Sequence, residues 1–185
     1  MRYKVISKQY NDIFCFICGL GNKSGVQAEF FNCVDEHGEN CLVTRIEPKS
    51  IHQSFPDRMH GGVVSAILDE AIGRAVQFEH PEIWAVTIDL NVKFRNPAPI
   101  DKTIYVVSKI TNIANRTFDG EGKMFLSDKK MSGSSVTLVA TATARYFRVT
   151  LDGMLENIKD PKFKKLFTDQ DRNPTTKNLP THIDI

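Results

Sequence analysis

The segment Gln53-Ser54-Phe55-Pro56-Asp57-Arg58-Met59-His60-Gly61-Gly62-Val63-Val64-Ser65-Ala66-Ile67-Leu68-Asp69-Glu70-Ala71 decides how this chain is read. Its spacing predicts a helix over residues 62–79. Val63, Val64, Ala66, Ile67, Leu68, Ala71, Ile72, Ala75 and Val76 cover nearly every side of that helix. A helix that is apolar all round is a buried one. Pro81 stops it.

Strand patterns flank the helix on both sides. They cover residues 26–33 and 40–47 before it, and 84–95, 102–112, 116–126 and 135–149 after it. Phe118, Gly120, Gly122, Met124 and Leu126 fall on alternate positions of one strand. Asp35, His37 and Gly38 mark a turn, Asn96-Pro97-Ala98-Pro99 breaks a strand, and Ser127 to Gly133 reads as another turn. Residues 1–24 read as loop, and Gln53 to Arg58 as an irregular loop. Six strands with hairpin-length connections around one buried helix give an α+β fold: an antiparallel sheet wrapped around a central helix.

The 185 residues exceed a ~150-residue domain by a modest margin. One domain over 1–150 with an appendage over 151–185 is expected. Within the appendage, Leu155 to Phe167 reads as a short helix. Asp169 to Ile185, with Pro174 and Pro180, reads as an extended or disordered tail. Lys and Arg number 24 against 22 Asp and Glu, so the basic surplus of a nucleic-acid binder is missing. No run of ~18 apolar residues occurs, so no membrane span is expected. Met1 to Lys8 has basic residues but no apolar core of a secretory signal, which makes the cytoplasm the expected compartment.

Cys15 and Cys18 have the CxxC spacing of a zinc knuckle, but Cys33 and Cys41 are spaced too widely for its second half. Free buried thiols in a reducing compartment are the plainer reading.

Chemistry concentrates at the helix. Gly61 and Gly62 leave amides bare at its start, where the helix dipole favours negative charge. Such amides can hold an oxyanion; equally, the two glycines can serve close packing alone. Asp69 and Glu70 point about 100° apart. Glu70 can pair with Arg74 four residues on. Asp69 faces Gly62, Ser65, Ile72, Gly73 and Val76, and has no partner on the helix. It is a functional candidate, or a carboxylate solvated or bonded by a neighbouring polar group. Gly61 and Asp69 lie roughly 12 Å apart along the axis. One helix cannot supply both to one reacting atom, whereas two antiparallel helices about a two-fold axis can. If the two groups act together, the protein is at least a dimer.

At these residues the chain resembles the hotdog-fold acyl-CoA thioesterases, in particular the PaaI-like branch. The resemblance covers about residues 12–149. It rests on Cys15-Phe16-Ile17-Cys18-Gly19 with Asn22 and Gly25, on Gln53 to Gly62 with Asp69, and on Thr87-Ile88-Asp89-Leu90-Asn91-Val92-Lys93-Phe94-Arg95-Asn96-Pro97. It implies a CoA-thioester hydrolase without metal or cofactor, acting as a homodimer or a dimer of dimers. Gly61 N–H would polarise the thioester carbonyl. Asp69 of the opposite subunit would be base or nucleophile. Gln53 would orient water or substrate, and Thr87 would assist the water. His60, Gly62, Ser65, Arg58, Asn91 and Arg95 would line the substrate site, with Lys93 and Lys102 as further cations for the CoA phosphates. His60, at the helix start, is read as structural rather than as a base. Ser54 and Asp57 stand where the subgroup commonly has glycine. A hotdog hydratase or dehydratase and a non-catalytic acyl-CoA binder are the alternatives. The acyl group stays open, because pocket depth depends on packing across the dimer.

Overall fold

In the computed structural model, described for residues 1–126, 136–156, 158–161, 164, 176 and 178–185, the central helix α1 spans Gly61–Ala75. Its last turn tightens into a 3₁₀ segment, Val76–Phe78. Among the described residues eight strands form one antiparallel sheet: β1 Arg2–Lys8, β2 Glu29–Val34, β3 Asn40–Ile46, β4 Ile83–Phe94, β5 Ile104–Ile113, β6 Thr117–Leu126, β7 Thr137–Thr150 and β8 His182–Asp184. The order across the sheet is β4-β7-β6-β5-β3-β2-β1-β8. This is the hotdog architecture that the sequence predicts. A five-residue helix α2, Leu151–Leu155, follows β7.

Two strands lie where the sequence pattern gives none. β1 occupies part of the segment read as loop, and β8 ends the segment read as tail. They pair with each other at the sheet edge, and the Met1 amino group donates to Ile185 O at 2.9 Å. The turn expected over residues 127–133 lies outside the described residues, as does most of the helix expected over 155–167. Among the described residues, no helix is long and apolar enough to cross a membrane.

The sheet has apolar packing on both faces. On the concave face, Ile67, Leu68, Ala71 and Ile72 of α1 pack with Phe30, Leu42, Ile46, Ile104, Phe118 and Met124, all fully buried. On the opposite face, Tyr3, Phe31, Val43 and Tyr105 meet Ile183 and Ile185. Burial of α1 is not uniform, however. Gly61 and Gly62 are exposed, and Val63, Ser65, Ala66 and Asp69 are half-buried, so one flank of its first turns is open.

The helix approaches the sheet closely because β6 offers glycines on its inward positions. A Cβ on Gly120 would lie 2.6 Å from Ile72 Cγ2 and 3.1 Å from Lys109 O; one on Gly122 would lie 3.0 Å from Ile72 Cγ1. Side chains there would push α1 off the sheet. We expect Gly120→Val to lower the unfolding free energy by about 1–3 kcal/mol, as measured by urea denaturation. An unchanged midpoint would contradict this packing.

Candidate active site

The start of α1 is built by a tight loop. Gln53 pairs with Met59, and Ser54 N–H donates to Arg58 O at 2.9 Å. At the tip, Arg58 N–H donates to Phe55 O at 3.0 Å across Pro56 and Asp57. Asp57 has φ 61°, and Pro followed by a left-handed residue is the signature of a type II turn. The segment read as irregular is therefore an ordered turn. The glycine of the resembling subgroup suits this left-handed position, and aspartate is among the few other residues that tolerate it.

His60 then caps the helix. Its backbone is extended (φ −63°, ψ 134°), and its Nδ1 accepts from Gly62 N–H at 2.9 Å. Val63 and Val64 N–H both reach His60 O, at 2.9 and 3.1 Å. With His60 N–H donating to His52 O at 2.8 Å, the orphan donors of His60, Gly62 and Val63 are satisfied. Gly61 N–H alone has no acceptor among the described residues. A Cβ on Gly62 would press against the His60 ring at 3.0 Å. Gly62 therefore makes room for the cap, and Gly61 carries the open amide. Ser65 Oγ donates back to Gly61 O at 3.0 Å.

Two turns on, Asp69 has the partners that the helix alone does not give it. Thr87 Oγ1 donates to both carboxylate oxygens, at 2.9 and 3.1 Å. Tyr146 Oη bonds Asp69 O at 2.8 Å and lies 3.2 Å from Oδ1. Asp69, without a partner on its own helix, is thus bonded from β4 and β7. Thr87 and Tyr146 are register partners across β4 and β7. Tyr146 is 1 % exposed and stacks on Phe118 with ring centroids 5.0 Å apart. Burial holds the Tyr146 phenol well above its ordinary range, so it stays a donor. Burial also raises the Asp69 pKa, against the lowering effect of the Thr87 and Tyr146 bonds. A small cavity of about 100 Å³ opens here between α1 and β4, lined by Asp69, Gly73, Trp84, Thr87 and Tyr146.

Thr87 reaches Asp69 because β4 carries a bulge. The register against β7 slips between Thr87 and Asp89, leaving Ile88 as the extra residue. Strict alternation would put Thr87 on the face of Asn91 and Lys93. The bulge turns it to the helix side, with Ala85, Leu90 and Val92, which pack against the central core.

Not every residue named from sequence converges here. Asn91 lines a groove on the outer face with Lys93, Glu121, Lys123, Thr141 and Thr143. Gln53, Arg58, His60 and Arg95 are exposed around the α1 start and the end of β4, and Arg58 Nη1 donates to Asp57 O at 2.9 Å. Lys102 is exposed as well. Glu70 pairs with Arg74 at 2.7 Å, as the spacing predicts. Two contributors went unread in the sequence: Tyr146, one aromatic within an apolar strand, and the bulge at Ile88.

One metal-donor cluster occurs among the described residues. Atoms of Cys15, Cys18 and Glu70 lie within 4.8 Å of one another. Arg74 sits among them, with Nη2 3.2 Å from Cys18 Sγ and Nε on Glu70. A buried guanidinium opposes a metal cation, and a structural zinc takes four ligands where this cluster offers three.

A family model described as the thioesterase superfamily matches residues 57–132, which include the α1 start, Asp69 and Thr87. Over that segment the chain resembles the thioesterase superfamily, and its fold is the hotdog fold. The PaaI protein of E. coli, from the phenylacetic acid degradation operon, superposes with TM-score 0.55 at 14% identity, covering 67% of this chain and 80% of that one. Zebra fish thioesterase superfamily member 2 gives 0.53 at 16% identity, covering 65% and 80%. At such identities the likeness is one of fold. Acyl-coenzyme A thioesterase THEM4 of Bos taurus is 25% identical over 134 residues, 72% of this chain and 51% of its own length. The chain spans about half the length of that relative.

The bonds to Asp69 make a prediction about its titration. Thr87→Val removes a donor that favours the ionised form. The Asp69 pKa is then expected to rise further, read by carboxyl-carbon NMR across a pH series. A pKa that does not move would contradict the geometry.

Proposed function

We propose that this protein hydrolyses acyl-CoA thioesters at a site composed of two chains. The observation that carries this reading is the pairing of two features: a single open amide at the start of α1, and a half-buried carboxylate held by two donors. The first suits the developing oxyanion of a thioester under attack. The second suits a base or nucleophile held in place, its pKa raised by burial.

Water activated by Asp69, or Asp69 itself, adds to the thioester carbonyl. The carbonyl oxygen gathers charge against Gly61 N–H and the helix dipole. Collapse breaks the carbon–sulfur bond, and the CoA thiolate leaves and takes a proton; where Asp69 itself has attacked, water then hydrolyses the acyl–aspartyl anhydride and frees the carboxylate. Thr87 holds the carboxylate in place, and Tyr146 fixes it from the opposite strand. Gln53 stands beside the α1 start, where it can orient water or substrate. This chemistry needs neither a metal nor an organic cofactor. His60 acts as a cap in this scheme. Its Nδ1 is an acceptor, so the proton sits on Nε2, which does not suit the base of a hydratase.

Reach and the open edge support a dimer. Among the described residues, β4 is hydrogen-bonded on one side only. Val86, Ile88 and Phe94 on it are 48–54% exposed. A long, apolar free edge is a template for pairing with another chain. Two β4 edges joined antiparallel would extend the sheet and set the open flanks of two α1 helices side by side. Gly61 of each chain would then meet Asp69 of the other.

The test is thiol release from short, medium, long and aromatic acyl-CoAs. Asp69→Asn is expected to lose at least about tenfold in kcat/KM while remaining dimeric. Gly61→Pro removes the open N–H alone. Proline fits the first helical position, and the extended backbone of His60 suits a following proline. We expect a loss on the order of 10²-fold in kcat with an intact fold. No thiol release from any acyl-CoA would overturn the reading, and so would full activity in either variant.

A further inference from the structure

The CxxC pair stands apart from the proposed hydrolysis. Cys15 and Cys18 sit in a tight turn closed by Gly19 N–H to Cys15 O at 2.8 Å. Their sulfurs lie within 4.8 Å of each other. Ile17 and Cys18 N–H both point at Cys15 Sγ, at 3.3 and 3.4 Å. Such amides stabilise a thiolate. Cys15 is half-buried between the exposed Phe14 and Phe16, so a small molecule can reach it. Cys18 is fully buried beneath it.

Behind the pair lies a fixed cation. Arg74, 8 % exposed, donates from Nη2 to Cys18 Sγ and from Nη1 to Tyr10 O, and stacks over Phe30. It can stabilise negative charge on Cys18 when Cys15 is already bonded. The hydrogen bond from Cys18 lowers the Cys15 pKa, and that bond together with burial raises the pKa of Cys18. Cys33 and Cys41 make the contrast. They face each other across β2 and β3 and are buried, and burial pushes their thiols up to about 12 and about 11.

We propose that Cys15 and Cys18 form a redox-active dithiol that exchanges with low-molecular-weight disulfides, Cys15 attacking and Cys18 resolving. The Cys15 thiolate attacks one sulfur of the small disulfide. That S–S bond breaks, a mixed disulfide forms at Cys15, and one small thiolate leaves. Cys18 then gives up its proton to solvent and attacks Cys15 Sγ, expelling the second small thiol. The two cysteines are oxidised to a disulfide, and the small disulfide is reduced to two thiols.

The full-length chain, reduced and then exposed to oxidised glutathione, tests this by peptide mass analysis. The peptide holding Cys15 and Cys18 is expected to lose two hydrogens and regain them with dithiothreitol. Cys18→Ser should stall with glutathione on Cys15, and Cys15→Ser should give neither product. Without any substitution, iodoacetamide at neutral pH should alkylate Cys15 at least about tenfold faster than Cys33 or Cys41. Equal alkylation rates would overturn the proposal. So would glutathione persisting on Cys15 of the unsubstituted chain, or zinc copurifying one to one and blocking both thiols.

Discussion

The close seating of α1 on the sheet is the constraint on which the rest depends. Three glycines make it possible. Gly120 and Gly122 admit Ile72, and Gly73 lets the helix backbone approach Ala85 and Tyr146, where a Cβ would lie 3.1 and 3.2 Å away. Asp69 is one turn before Gly73. Only with the helix this near do Thr87 on β4 and Tyr146 on β7 both reach it. A few tenths of an ångström of retreat would lengthen those bonds and let water between them. Packing of the core and positioning of the carboxylate are therefore one structural fact.

The same seating gives the two ends of α1 different tasks. Its first turn is left open, with one amide unclaimed once His60 has capped the others. Its last turns are tied down: Arg74 bonds Glu70 and the N-terminal segment, and Gln9 Nε2 donates to Arg74 O at 3.2 Å. Open amide and held carboxylate lie on one rod, too far apart to meet within a chain. In the proposed reaction a second copy would bring them together, and β4, paired on one side only among the described residues, offers that copy an edge.

Much of this was legible in the sequence. Aliphatic residues running through 63–76 announce a buried helix, and alternation in 117–126 announces a strand whose glycines face it. The Glu70–Arg74 pair follows from spacing alone. What escaped depends on distant partners. Asp69 looks unpaired on its helix because its donors come from 18 and 77 residues downstream. Thr87 faces it only through the bulge at Ile88, and period-two counting puts Thr87 on the wrong side. β8, three residues long, is too short for any periodicity to show, and exists because β1 offers it an edge.

Subunit mixing is the most direct measurement of the composite site. Gly61→Pro and Asp69→Asn chains, each strongly impaired, are combined, unfolded and refolded together. Random pairing yields heterodimers in which one site has both an intact Gly61 amide and an intact Asp69. Activity should return to about a quarter of that of the unsubstituted dimer. A mixture no more active than its parents, with heterodimers demonstrably formed, would contradict the account.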